Sequence, residues 1–172
     1  MNLKRIIESV LFSSSKPVTL KALSKKLERY SLEAIKEAVD ELIQEYNYSD
    51  RALEIAEVSG GYQIRTKQDY TEWAKRFARE RDPGLTRSML ETLSVIAYKQ
   101  PVTKREVDIL RGVDSARAIK YLLERRLVEM AGRNGEMGKK IVFRTTARFL
   151  ELYGLRSLDD LPTVRDIESL ES

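Results

Sequence analysis

The chain has 172 residues, 42% apolar and 34% charged, with 31 Lys and Arg against 27 Asp and Glu for a formal net charge of +4; so much charge suits helices with one solvated face. It contains neither cysteine nor histidine, which excludes disulfides, thiolate metal sites, the Ser/His/Asp triad and nearly every zinc site, leaving oxygen-ligand ions such as Mg²⁺. A chain of this length forms one domain of ordinary size or two small ones, each near the lower limit for a self-sufficient core.

Leu3, Ile6, Ile7, Val10 and Leu11 make one apolar helical stripe, closed by Ser13 to Lys16 and by Pro17, which cannot donate into a helix. Glu8 interrupts this run and no small-residue cleavage site follows, so it is not read as a signal peptide. No segment reaches the roughly 18 apolar residues that span a bilayer, and a soluble, cytoplasmic protein is expected. Thr19 then caps a short helix carrying Leu20, Leu23 and Leu27, and Ser31 caps a longer one with Ala34, Ile35, Ala38, Val39, Leu42 and Ile43 inward. "ALEIAEVSGGYQIRT" follows, two alternating segments around Gly60 and Gly61 that read as a β-hairpin. The helix "DYTEWAKRFARE" comes next, with Trp73 and Phe77 four residues apart as a core stripe.

The same order then recurs. Leu90, Leu93, Ile96 and Ala97 form a stripe ended by Pro101, Thr103 and Glu106 make a capping box, and Val107 and Leu110 face the core. Gly112 stops that helix, and Ser115 caps a third with Ala118, Ile119, Leu122, Leu123 and Leu127 inward. "SKPVT" at 15–19 returns as "KQPVT" at 99–103, and "AIK" at 34–36 returns at 118–120, both 84 residues apart. "LVEMAGRNGEMGKKIVFRTT" supplies a second hairpin, in which "FRT" at 143–145 answers "IRT" at 64–66, and the helix "ARFLELYG" follows. Three helices and a hairpin, twice, predict a mainly α chain with small β-hairpin wings: two tandem winged helix-turn-helix domains. The domains are expected at 1–81 and 87–154, with a linker at 82–86 and an acidic tail at 155–172.

Winged helices commonly place their third helix in a DNA groove, and charge tests that use. The first copy's third helix carries Glu33, Glu37, Asp40, Glu41 and Glu45 against Lys36 alone, so it would repel phosphate and suits protein contact. In the second copy Arg117, Lys120, Arg126, Lys139 and Lys140 are the possible DNA contacts, with Arg125 and Arg133 nearby and Glu124 and Glu136 opposing them. Residues 83–154 hold 14 basic against 8 acidic groups, whereas 1–82 hold 15 against 14. A basic second domain able to bind DNA as a regulator is therefore one reading.

No catalytic constellation emerges. "GRNGEMGKK" lacks the Ser or Thr that completes a phosphate-binding loop and fits a wing turn. Asp159 and Asp160, adjacent in the tail, do not hold a metal between them, and Ser157 with Asp160 reads as a helix cap. Tyr46, Tyr48 and Tyr98 are either interface aromatics or half-buried core tyrosines.

"ETLSVIAYKQPVTKREVDILRGVDSARAIKYLLERRLVEMAGR" closely resembles the most characteristic block of the segregation and condensation protein B family, "TTARFLELYGLRSLDDLP" resembles that family's C-terminal signature, and "IIESVLFSSSKPVTLKAL" matches its opening. The departures lie in the wing, where Met137 to Lys140 replace a Pro-Gly-Arg-Pro-like turn and Arg144 replaces a Gly. The resemblance implies a non-enzymatic subunit of the condensin-like complex, without cofactor, in the cytoplasm and associated with the nucleoid. It also implies a homodimer, formed largely through the first domains, that embraces the kleisin subunit, segregation and condensation protein A. Through the kleisin it would reach the structural maintenance of chromosomes ATPase, with DNA contacted mostly indirectly. On this resemblance the kleisin contact falls around Tyr98, Lys99, Gln100, Pro101, Arg111 and Arg117; alternatively, Pro101 and Gly112 serve backbone geometry and Tyr98 serves packing.

Overall fold

The structure is a computed structural model and describes residues 2–77, 84–134 and 140–163. Contacts group the chain into two compact units, Met1–Glu80 with Gly154–Ser172, and Arg81–Tyr153. Both combine helices with a small antiparallel sheet.

In the first unit α1 (Leu3–Ser13), α2 (Leu20–Lys26) and α3 (Leu32–Asn47) precede the hairpin β1 (Leu53–Val58) and β2 (Gly61–Thr66), and α4 (Gln68–Phe77) follows it. The Thr19 and Ser31 hydroxyls accept the amides of Ala22 and Ala34, so both expected caps form, and Asn2 caps α1 in the same way. Each cap satisfies an orphan amide of a first helical turn. Ile7, Leu11, Leu23, Ile35, Val39, Leu42 and Ile55 form one core in which α3 packs against α1, α2 and β1. Val18, just after Pro17, exchanges two backbone hydrogen bonds with Tyr62, both 2.9 Å. Gly61 permits this approach, because a Cβ there would lie 3.0 Å from the Val18 carbonyl carbon.

The segment after Tyr153, expected as a separate tail, groups with this unit. Ser59 N donates to the Leu155 carbonyl (2.9 Å), and Arg156 clasps Asp160 through Nη2 at 2.7 Å and Nε at 3.1 Å. A single 3-10 turn, Leu158–Asp160, is capped by Ser157 on the Asp159 amide. Asp160 therefore serves Arg156, and Ser157 alone supplies the side-chain cap.

The second unit repeats the scheme with α5 (Arg87–Lys99), β3 (Val102–Thr103), α6 (Lys104–Arg111), α7 (Ala116–Glu124), β4 (Val128–Asn134), β5 (Lys140–Thr145) and α8 (Ala147–Tyr153). Its sheet has the order β3-β5-β4, with Val102 opposite Phe143, Val128 opposite Thr145 and a register shift between Met130 and Gly132. Thr103 and Glu106 form the expected capping box, and Gly112 ends α6 in the left-handed region at φ 70°, where a side chain would be strained.

Three expectations for this unit are corrected. Leu90 and Leu110 are exposed rather than inward, because the core is already filled by Leu93, Ile96, Val107, Ile119 and Leu122. Ser115 is buried but does not cap α7: its hydroxyl and amide both donate to Asp108 Oδ1 (2.5 and 2.8 Å), and Asp114 accepts from Ala116 N (3.2 Å) instead. Leu123 is half-buried where Leu122 is fully enclosed.

Replacing Leu122 with Ala should cost about 2–5 kcal/mol, a transfer loss plus a cavity, whereas Leu110→Ala should stay within about 0.5 kcal/mol as a surface change. Urea unfolding of the two variants checks this; equal midpoints would contradict the core assignment.

Candidate partner-binding surface

α4 has no buried residue. Tyr70, Trp73 and Phe77, at i, i+3 and i+7, share one face, and Trp73 and Phe77 are 61% and 89% exposed. The expected core stripe is therefore an outward one. The Arg76 guanidinium stacks 4.4 Å from the Trp73 ring centroid, which covers part of the ring without burying it. A ten-residue helix gains little stability on its own in water, and its apolar face is of the kind that marks interaction sites. The α3 tyrosines separate: Tyr46 is buried and donates to Glu8 (2.6 Å), while Tyr48 lies exposed past the helix end. Glu8 is held below the usual carboxylate range by the Tyr46 hydroxyl and the Arg5 guanidinium.

In the second unit the residues singled out around "KQPVT" fall into two groups. Gln100 is half-buried and latches the junction to the sheet, its Oε1 accepting from Thr145 N (2.7 Å) and Oγ1 (3.1 Å) and its Nε2 donating to the Ala97 carbonyl (3.0 Å). Arg111 keeps only 6% of its side chain exposed and donates to Thr92 Oγ1 (2.8 Å), Ser88 Oγ (3.1 Å) and Glu91 Oε2 (2.9 Å), tying α6 to α5. These two have internal work. Tyr98, Lys99, Pro101 and Arg117 stay on the surface.

The residues considered for DNA contact are spread along the unit. Arg117 and Lys120 share the outer face of α7, but Lys120 stands 4.0 Å from Glu124, which offsets part of its charge. Arg126 sits in the left-handed region (φ 57°) and closes the α7–β4 turn, its carbonyl accepting from the Thr146 hydroxyl (2.6 Å). Lys140 is exposed at the start of β5, and Lys139 lies outside the described residues. Among the described residues no group of three or more His, Cys, Asp or Glu could hold a metal. No helix among them is long and apolar enough to cross a membrane.

Sequence reasoning missed the outer ridge of α6. Ile109 and Leu110 are 69% and 55% exposed, and Val113 just beyond is exposed too. A signal was available: four apolar residues between 107 and 113 exceed what the core-facing side of an eight-residue helix can bury, and only Val107 is buried. The ridge is held in place from beneath by charge. Lys104 donates to Asp108 (2.6 Å) and also pairs with Asp114, and with the Ser115 hydroxyl it pulls the Asp108 carboxyl down to about 2.

The chain belongs to the family described as segregation and condensation complex subunit ScpB, whose model matches residues 5–164. It is 39% identical over 170 residues to segregation and condensation protein B of Syntrophotalea carbinolica, covering 99% of this chain and 86% of that protein. The Alkaliphilus oremlandii protein of the same name is 41% identical over 165 residues, covering 95% and 89%. The crystal structure of ScpB from Mycobacterium tuberculosis is 31% identical and covers 89% of this chain and 95% of that one, with a TM-score of 0.42.

Because its carboxyl is depressed from an ordinary 3.8 to about 2, Asp108 contributes stability that is full above the unfolded value and lost as pH falls from about 4 to about 2. Asp108→Asn should lower the melting temperature near pH 7, and the gap to the parent should close across that acid window. Thermal unfolding in a pH series checks it; a gap independent of pH would contradict the assignment.

Proposed function

We propose that this protein is a non-enzymatic accessory subunit of the segregation and condensation complex, acting in the cytoplasm at the nucleoid in chromosome condensation and segregation. The observation that carries the reading is the family match along nearly the whole chain, to a family described as a complex subunit. Each unit is read as a winged helix-turn-helix, the first at 1–81 and the second at 87–154 with a linker at 82–86, since three helices and a hairpin occur in order in both. The chain works by contact, as a homodimer that grips the kleisin subunit and through it the structural maintenance of chromosomes ATPase; DNA is met through these partners.

Two features support this reading. The unburied α4 face of Tyr70, Trp73 and Phe77 suits a second copy of the first unit, because burying aromatic surface of this kind stabilises an association strongly. In the second unit Lys99, Pro101 and Arg117 remain for the kleisin, whereas Gln100 and Arg111 are spent on the fold.

Size-exclusion chromatography with light scattering should give a dimer that co-elutes with the purified kleisin. Trp73→Glu combined with Phe77→Glu should lower the mass to that of a monomer without changing helix content. A monomeric parent that ignores the kleisin and shifts a DNA duplex would overturn the proposal.

A further inference from the structure

The ridge of α6 stands between depressions that share their walls. On one side Leu90, Ser94 and Val95 of α5 face Leu110 and Arg111. In the middle Lys99, Pro101 and Val102 meet Glu106, Ile109 and Leu110. On the far side Ile109 borders Pro101, Arg105, Ile141 and Phe143 around a hollow of about 750 Å³. Leu110 belongs to the first two, and Pro101, Glu106 and Ile109 to the last two, so the three form one groove wrapped across α6. Its apolar walls belong to exposed side chains, Leu90, Ile109, Leu110 and Ile141. An apolar surface of this extent with a polar rim is a mark of an interaction site.

Charge on the rim decides what fits. Both carboxylates there are engaged: Glu91 by Arg87 and Arg111, and Glu106 by the Thr103 amide and hydroxyl. Lys99 and Arg105 form no ion pair among the described residues, and Lys140 adds a further cation beside Glu106. The rim therefore presents surplus positive charge around an apolar floor. A second copy of the same face would bring like charge against like, and DNA would leave Ile109, Leu110 and Ile141 in contact with nothing apolar.

We propose that the groove across α6 docks an acidic amphipathic segment of a partner polypeptide, its apolar side chains seated on both sides of Leu110 and its Asp or Glu residues against Lys99 and Arg105. This rests on the proposed function in taking the kleisin as that polypeptide. It adds where on the second unit the segment lies and what chemistry selects it.

The test is calorimetric titration of the full chain with purified kleisin, each variant first checked by thermal unfolding. Ile109→Asp, Ile109→Ser and Leu110→Ser should each weaken binding at least tenfold. Lys99→Glu combined with Arg105→Glu should do the same and flatten the salt dependence, and Lys120→Glu, exposed on α7 outside the groove, should stay within twofold. If the parent binds kleisin and the groove variants bind equally well, this inference falls and the proposed function stands. No binding by the parent overturns both. Weakening by the charge pair alone, with the Ile109 and Leu110 variants unaffected, also overturns it, since a purely electrostatic surface would then be at work.

Discussion

Each unit rests on the burial of its third helix. α3 places Ile35, Val39 and Leu42 between α1, α2 and β1, and α7 places Ile119 and Leu122 into the core shared with Leu93, Ile96 and Val107. In units this small a single such layer accounts for most of the apolar area removed from water. Once it is filled, further apolar residues stay outside. The α4 face and the α6 ridge are that remainder, and they are where the protein has surface to offer to others.

The junction before each second helix positions these surfaces. Val18 on Tyr62 and Val102 on Phe143 pin the chain to the hairpin at equivalent points, so the second helix is presented at the side of the sheet. In the second unit the Gln100 amide reaches Thr145 and Arg111 reaches back to α5, which fixes both ends of α6. Lys104, Asp108, Asp114 and Ser115 then join α6 to the start of α7. An outward apolar ridge needs this support, because its own side chains add nothing to the core.

Much of this was legible in the residues. The 84-residue offset holds at the starts of all three paired helices, Leu3 with Arg87, Leu20 with Lys104 and Leu32 with Ala116, because caps and apolar spacing are local signals. Hairpin register was less legible. "IRT" and "FRT" do end their strands alike, at Thr66 and Thr145, but the residues that meet the junction are Tyr62 and Phe143, two positions off that alignment. Gly61 and the irregularity at Met130 and Gly132 set each register by long-range pairing that spacing cannot show. Trp73, Phe77, Leu90 and Leu110 were misplaced for a related reason: periodicity shows that a helix has an apolar face, not whether its own unit covers it. Gln100 and Arg111, marked for partner contact, also brace the fold, which spacing did not show because these hydrogen-bond partners lie 45 and 20 residues away in sequence.

The central claim is that these outer faces are completed by other polypeptide surfaces. Hydrogen–deuterium exchange of the full chain, at concentrations above and below its self-association and then with kleisin added, tests it most directly. The account predicts that α4 amides gain protection on self-association and α6 amides gain it with kleisin, while α3 and α7 stay slow throughout. Protection gained only along α7 and the β4–β5 hairpin, with α4 and α6 unchanged, would contradict it.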